Sequence, residues 1–214
     1  MKRGGNAVSR DRSLFPMLVK LRGRNCVVVG AGKVAAAKIR GLLNHGARVV
    51  VVSPRAVRFI EQKAQAGVIV WRQRAFTAAD VDGAFLVIAA TDSSSLNGAI
   101  FRACNARGIL CNAVDDPQHC HFFYPAVVHR GPLQIAISTS GYSPALAARL
   151  RRELERQFGP EWGAWLENLG RMRRDLLRQK ISPAMRRRQL LKMASARAFA
   201  TFVREHRRRK SAET

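Results

Sequence analysis

NCVVVGAGKVAAAKIRGLL, Asn25–Leu43, is the stretch from which the rest of the chain can be read. Asn25–Gly30 is a run of β-branched residues and reads as a buried strand. It passes directly into Gly30-Ala31-Gly32-Lys33-Val34-Ala35, a G-x-G-x-x-A that opens a helix over Lys33–His45, where alanines and leucines recur at helical spacing. Each residue type has a physical reason to be there. Gly30 permits the tight turn, Gly32 lets the backbone approach a pyrophosphate, and Ala35 keeps helix and sheet close. The helix N-terminus then presents unpaired N–H groups to the anion. Alone, the pattern is a weak signal and equally describes a tight turn with no ligand. A strand before it and a helix after it are the context that makes it a dinucleotide site.

Downstream the alternation continues. Strands are expected at Ala47–Val52, Val68–Trp71, Gly83–Ala89 and Ile109–Ala113, and helices at Val57–Ala66 and Ser95–Arg107. Strands alternating with helices predict a parallel sheet covered on both faces. Right-handed crossovers make it an α/β, Rossmann-like, doubly wound layer. Past residue 113 the rhythm breaks. Asp115–Ser143 holds turn residues, a histidine-rich patch and one clear strand, Leu133–Ser138. Ser143 then caps a helix with Pro144 at its first position. Helices follow at Ala145–Phe158, Glu161–Lys180 and Pro183–His206. The expected organisation is a flexible N-terminus (1–13), a Rossmann domain (14–113), a small strand-containing segment (114–143), a helical C-terminal domain (144–206) and a basic tail (207–214).

Charge narrows the partners. The chain of 214 residues carries 38 Lys+Arg against 14 Asp+Glu, a formal net charge of +24. Such a field attracts polyanions: nucleic acid, anionic lipid or a metabolite with many carboxylates. Half of the basic residues lie beyond Ser143, including Arg186-Arg187-Arg188 and Arg207-Arg208-Arg209-Lys210. No recognised nucleic-acid motif accompanies them, so a solvated basic end is the favoured reading. The sequence holds 4 cysteines without a C-x-x-C pair, which fits a reducing compartment. With no signal-peptide pattern and no apolar run of about eighteen residues, a cytoplasmic protein without a membrane span is expected.

Two places carry candidate chemistry beyond the loop. An Asp or Glu normally closes the second strand and holds the ribose of NAD. Here that place is Ser53-Pro54-Arg55, and no acidic residue occurs between Arg12 and Ile60. Backbone and Ser53 hold an NAD ribose, or Arg55 and Arg58 grip a 2′-phosphate; NAD against NADP stays open. Asn112-Ala113-Val114-Asp115-Asp116-Pro117 lies just past the fifth strand, on the edge where ligands bind in open α/β sheets. A carboxylate there can relay protons, or Asp115 or Asp116 merely caps the turn at Pro117. His119-Cys120-His121 places two imidazoles on one side of an extended segment, but no third ligand stands at zinc spacing, and no resident metal is expected. Phe122, Phe123 and Tyr124 read as packing core rather than a stacking platform, and Trp162 and Trp165 as packing.

Four segments resemble a known family, the dehydrogenases that make sirohydrochlorin from precorrin-2 in sirohaem synthesis. They are Phe15–Leu43, the AATD of Ala89–Asp92, CNAVDDPQHCHFFYPAVVHRGPLQIAIST (Cys111–Thr139) and SGYSPALAARLRRELE (Ser140–Glu155). The resemblance runs from about residue 14 to 156. It implies a homodimer with a Rossmann domain, a middle segment that exchanges strands with its partner, and a helical C-terminal part. It implies that Asp115 is the catalytic aspartate, and that in some members the same aspartate takes part in iron insertion. It implies cofactor contacts at Gly30, Gly32, Lys33 and Val34, at Pro54 and Arg55, and at Thr91. Thr139 stands where some relatives carry a phosphorylated serine. The loop departs from the family's usual three glycines at Ala31, and Ala37 replaces a common arginine. At this length the methyltransferase domain of the fused form is not expected.

The implied substrate carries many carboxylates, which the basic balance suits. Arg130 and Arg149, with Arg151 and Arg152, are the candidates for holding them, since arginine suits planar carboxylate recognition; a solvated face is the alternative for each. The function expected is oxidation of precorrin-2 with NAD, with NADP not excluded. Two alternatives stand beside it: a dual dehydrogenase and ferrochelatase, and a non-catalytic dinucleotide sensor that binds nucleic acid.

Overall fold

The structure, a computed structural model, describes residues 14–212. The expected flexible N-terminus, residues 1–13, and the last two residues of the expected tail lie outside the described residues. The chain forms two compact units. Phe15–Tyr124 is the first, so the Rossmann unit runs past residue 113 and takes in the Asp115 turn.

Five strands, β1 (Asn25–Val29), β2 (Arg48–Val52), β3 (Val70–Arg72), β4 (Leu86–Ala89) and β5 (Leu110–Ala113), form a parallel sheet in the order β3-β2-β1-β4-β5. Helices α1 (Lys33–Asn44), α2 (Arg58–Gln65) and α3 (Ser94–Asn105) cover it. Successive residues of a strand point to opposite faces, and β1 shows it. Cys26 and Val28 join Ala35, Ala36 and Ile39 of α1 and Ile60 of α2 in one cluster. Val27 and Val29 join Ile100 and Cys104 of α3 in the other. Both faces are buried, which is why the strands read as continuous apolar runs rather than alternating ones. The chain reverses direction of winding between β1 and β4, and the carboxyl ends of those two strands form the crevice where ligands enter such sheets.

The second unit is built from Pro125 onward. Strands β6 (Ala126–Arg130) and β7 (Leu133–Ile137) form an antiparallel hairpin with Arg130 opposite Leu133. The two residues between them are Gly131, with φ +55°, and Pro132. Helices α4 (Pro144–Gln157), α5 (Glu161–Arg178), α6 (Pro183–Met193) and α7 (Ala196–Ala212) complete it. The hairpin tip meets α5 where neither side has room for a side chain. A Cβ on Gly163 would stand 2.9 Å from the Arg130 carbonyl oxygen. Trp162 stacks on Phe199 with centroids 4.3 Å apart, and Trp165 packs against Phe199 and Phe202, so both tryptophans are packing residues. Two expectations need correction. Ala126–Arg130 is a strand, not read as one from the sequence. Pro183–His206 is two helices, because Ser195 starts a new one by accepting the Ala198 N–H at 3.3 Å.

Asp80 holds the loop between β3 and β4. Its carboxylate is 3% exposed and takes hydrogen bonds from Arg74, Arg72 and Thr77. The Arg74 hydrogen bond, then Thr77 and Arg72, keep its carboxyl well below the usual carboxylate range despite burial, which acts the other way. A depressed folded-state pKa stabilises the fold above the unfolded carboxylate value, about 3.9, and that contribution is lost as pH falls through the folded value. We predict that Asp80→Asn lowers stability at neutral pH by about 1–3 kcal/mol. Urea melts of variant and wild type should converge on acidification; a gap unchanged down to pH about 3 would contradict the assignment.

Candidate functional site

The glycine loop meets the geometric demands of its sequence. Gly30 has φ +99°, and a Cβ there would stand 2.2 Å from the Ala90 carbonyl oxygen at the end of β4. No other residue fits that approach. Gly32 is the N-cap of α1 and has no atom within 4 Å of the place its Cβ would occupy. It offers no side chain to cap the helix, so the first-turn N–H groups point out of the helix end, with the positive pole of the helix behind them. Ala35 is 1% exposed and lets α1 lie close on the sheet. Lys33 and Val34 are exposed beside the loop. These features fit a dinucleotide's pyrophosphate: open space, unpaired donors and no competing cap.

The loop after β2 is tied to this one. Val57 donates its N–H to the Ala31 carbonyl at 3.0 Å, and Gly30 donates to Val52 at 2.9 Å. The Ser53 hydroxyl donates to the Arg55 carbonyl at 2.7 Å, and Trp71 Nε1 donates to the Ser53 carbonyl at 2.9 Å. Pro54, Arg55 and Arg58 are therefore exposed on a braced turn at the carboxyl end of β2. After β4, Thr91 is gripped by Asn97 of α3. The Asn97 Oδ1 accepts from the Thr91 hydroxyl at 2.7 Å and from its N–H at 3.3 Å, while Nδ2 donates to the Thr91 carbonyl at 3.2 Å. Asn97 is 4% exposed and was not singled out in the sequence. Its signal, an Asn six residues after Thr91, is legible only once the helix start at Ser93 is known.

Asp115 stands at the carboxyl edge of β5 with φ +60°, in the left-handed region that a non-glycine residue rarely adopts. The surrounding turn enforces it. Val114 donates to the Ala89 carbonyl at 2.9 Å, and Cys120 Sγ donates to the Ala113 carbonyl at 3.1 Å. Residues 120 and 121 fold back antiparallel along β5: His121 N–H reaches the Cys111 carbonyl at 2.7 Å, and Asn112 Nδ2 donates to the Phe122 carbonyl at 2.8 Å. The Asp115 side chain is exposed. Its neighbour differs: Asp116 Oδ2 is 2.6 Å from His119 Nδ1. Aspartate tolerates that region better than most side chains, and non-glycine residues held there by an over-determined turn cluster at functional sites.

The two histidines do lie on one side, flanking Phe101 with centroids 5.1 and 4.7 Å away. Each has other work. His119 holds Asp116, and His121 Nδ1 accepts the Cys111 N–H at 3.0 Å. Among the described residues no group of three His, Cys, Asp or Glu side chains converges on a metal-sized site. Phe122 is half-buried and packs against the sheet's own core, while Phe123 and Tyr124 are exposed. In the second unit, Arg130 donates from Nε to the Phe158 carbonyl at 2.7 Å and from its terminal nitrogens to Glu155 and His129 carbonyls. Arg149 is exposed, with Glu153 at 3.3 Å. Arg151 pairs with Glu155, and Arg152 is exposed. An open hollow of about 540 Å³ between Asp82–Phe85 and Arg107–Leu110 lies at the opposite, amino-terminal edge of the sheet and is not part of this site.

Comparison with known proteins follows the same boundaries. Residues 17–126 match the family described as "Putative NAD(P)-binding", and residues 130–157 match the central segment of sirohaem biosynthesis proteins. Siroheme synthase 1 of Serratia proteamaculans is 39% identical over 189 residues, covering 88% of this chain and 40% of that protein. Siroheme synthase of Methylococcus capsulatus is 39% identical over 174 residues, covering 81% and 36%. The chain thus spans about 40% of the length of the curated relatives it matches. Among solved structures, SirC, a precorrin-2 dehydrogenase, superposes with a TM-score of 0.75 at 24% identity over 90% of this chain and 98% of that one, a likeness of fold. No described helix is long and apolar enough to cross a membrane.

The two glycines predict opposite failures. Gly32→Asp places a side chain in open space and can cap α1, so the melting temperature should hold or rise. Its charge stands in the pyrophosphate path, so NADH affinity should fall by at least about 10-fold. Gly30→Ala should lose stability itself. Calorimetry of both variants, with fluorescence titration of NADH, checks this; a Gly32→Asp protein with wild-type affinity would contradict the loop's assignment.

Proposed function

The chain belongs to the NAD(P)-binding family whose model spans residues 17–126, and from that membership we propose that it is an NAD-dependent precorrin-2 dehydrogenase of sirohaem synthesis. The observation that carries the reading is Asp115. An exposed carboxylate is held in a left-handed turn at the end of β5, beside β4 and two strands from Gly30. Neighbouring strands are about 4.8 Å apart, which sets Asp115 about 10 Å along the edge from the glycine loop. A dinucleotide seated on that loop reaches this edge. The cofactor supplies a hydride acceptor. Removing two hydrogens from the substrate also releases a proton, and the Asp115 carboxylate is the group placed to take it.

The chain's other residues would orient and bind. Gly30, Gly32, Lys33 and Val34 would hold the cofactor's pyrophosphate, Pro54 and Arg55 would contact it after β2, and Asn97 fixes the Thr91 loop, which would contact it after β4. The absence of an acid after β2 leaves the ribose to backbone and Ser53, whose oxygen still has acceptor capacity. Arg149 on α4 remains a candidate for a substrate carboxylate. Arg130 we assign to joining the hairpin to the end of α4, because its donors are engaged by main-chain carbonyls. A net charge of +24 favours capture of a polycarboxylate tetrapyrrole. We further propose a cytoplasmic homodimer. Two-stranded sheets are marginal alone, and β6–β7 gains strands if a second copy adds its own.

Asp115→Asn tests the catalytic assignment cleanly, since Asn tolerates the left-handed region that Asp occupies. We predict a kcat for precorrin-2 oxidation about 10²–10⁴-fold lower, with NADH affinity and melting temperature unchanged. Asp116→Asn should retain far more activity. A folded Asp115→Asn enzyme with full turnover would contradict the role. Metal uptake by sirohydrochlorin, followed with the same proteins, reads out the iron-inserting alternative.

A further inference from the structure

Lys38 lies on the second turn of α1, half-buried, within electrostatic reach of Asp115. Its Nζ stands 3.7 Å from the centroid of the Tyr124 ring. Phe122 meets that ring edge-on at 5.6 Å, which fixes the face the ammonium rests on. Tyr124 keeps 46% of its surface exposed, yet the packing around its phenol pushes the group up to about 12, by desolvation first and the Cys26 thiol second, so the ring stays neutral beneath the cation. Burial lowers the Lys38 pKa, while the charges of Asp115 and then Cys120 raise it. No carboxylate among the described residues stands within 4.0 Å of its ammonium.

This is an unusual way to keep a lysine. Its stem normally lies along apolar surface while the ammonium reaches bulk water. Here the head is drawn in and seated on an aromatic face, within electrostatic reach of an aspartate it does not pair with. Two of the three donors of an ammonium so placed can be offered to an anion, and partial burial strengthens that attraction. The other ionisable groups around it are engaged elsewhere: Asp116 with His119, and Cys120 with the Ala113 and Asp116 carbonyls.

We propose that Lys38 is a substrate-binding residue of this site: seated on Tyr124, its ammonium takes one carboxylate of the substrate and sets which edge of the molecule meets Asp115. The inference rests on the functional reading above and deepens it, assigning a carboxylate contact to the Rossmann unit where sequence analysis placed such contacts only on arginines beyond residue 129. It separates from the cofactor's own anion, the pyrophosphate, which belongs at Gly32 on the first turn.

The test uses Lys38→Met, which keeps the stem over Tyr124, and Lys38→Arg, which keeps the charge. Binding is titrated with uroporphyrin, a polycarboxylate porphyrin, with its methyl ester and with NADH, each followed by tryptophan fluorescence. Lys38→Met should weaken uroporphyrin binding about 10- to 100-fold, the range for a hydrogen bond to a charged group. Ester and NADH affinities should be unchanged, and Lys38→Arg should recover most of the loss. In turnover the KM for precorrin-2 should rise more than kcat falls. Unaltered uroporphyrin affinity in a folded Lys38→Met protein overturns the inference and leaves the function standing, as does a loss confined to NADH. If the wild type neither binds uroporphyrin nor oxidises precorrin-2, the functional reading fails and this one with it.

Discussion

The Ala90 carbonyl oxygen lies 2.2 Å from the point where a Cβ on residue 30 would stand. That contact sets how closely the ends of β1 and β4 can approach, and the site follows from it. With Gly30 in the left-handed region, the chain turns sharply enough for α1 to begin three residues later. The helix end is thereby aimed along the crevice between β1 and β4. Ala35 and Ala36 are small enough to let α1 settle on the sheet, and this sets where Lys38 on its second turn meets the Tyr124 ring. A larger residue at any of these positions would lift the helix and move both the anion-binding end and the Lys38 ammonium.

The second structural element of the site is a turn held from both sides. Asp115 is left-handed because β5 continues through the Val114 hydrogen bond on one side, and the return segment of Cys120 and His121 is bonded to β5 on the other. The chain has four residues, Asp116–His119, in which to reverse. One left-handed residue achieves that. Glycine would meet the need at lower conformational cost, and an aspartate there instead places a carboxylate at the sheet edge.

Most of the Rossmann unit was legible in the sequence because both faces of its sheet are buried. Fully buried strands become runs such as VVVV, and their ends are marked by Gly, Ser and Pro. Boundaries shifted by only a residue or two, except at β4, whose start moves three residues from Gly83 to Leu86; β3, an edge strand of three residues with Val70 exposed, starts two residues late. The rest was less legible for identifiable reasons. β6 lies in AVVHR after a proline, too short for periodicity to show. The break between α6 and α7 depends on Ser195, an N-cap with no proline or glycine to announce it. Of the site, the glycine loop could be read from spacing and Asp115 from its place after β5, with the family resemblance deciding between its two readings. Asn97, Tyr124 and Lys38 could not, since each acts through a partner distant in sequence or on another element. Arg130 was read as a carboxylate contact or a solvated residue, and neither reading anticipated its main-chain carbonyl partners at the end of α4.

What the site is for is most directly tested by the stoichiometry of hydride transfer. Enzymatically generated precorrin-2 and NAD+ are mixed anaerobically with the purified chain, and NADH and sirohydrochlorin are followed together by absorbance. The account predicts that both appear at the same rate, one NADH for each sirohydrochlorin, and that neither appears when the protein or NAD+ is omitted. Binding of NADH without any conversion of precorrin-2 would contradict it, leaving a dinucleotide-binding protein whose Asp115 turn serves some other chemistry.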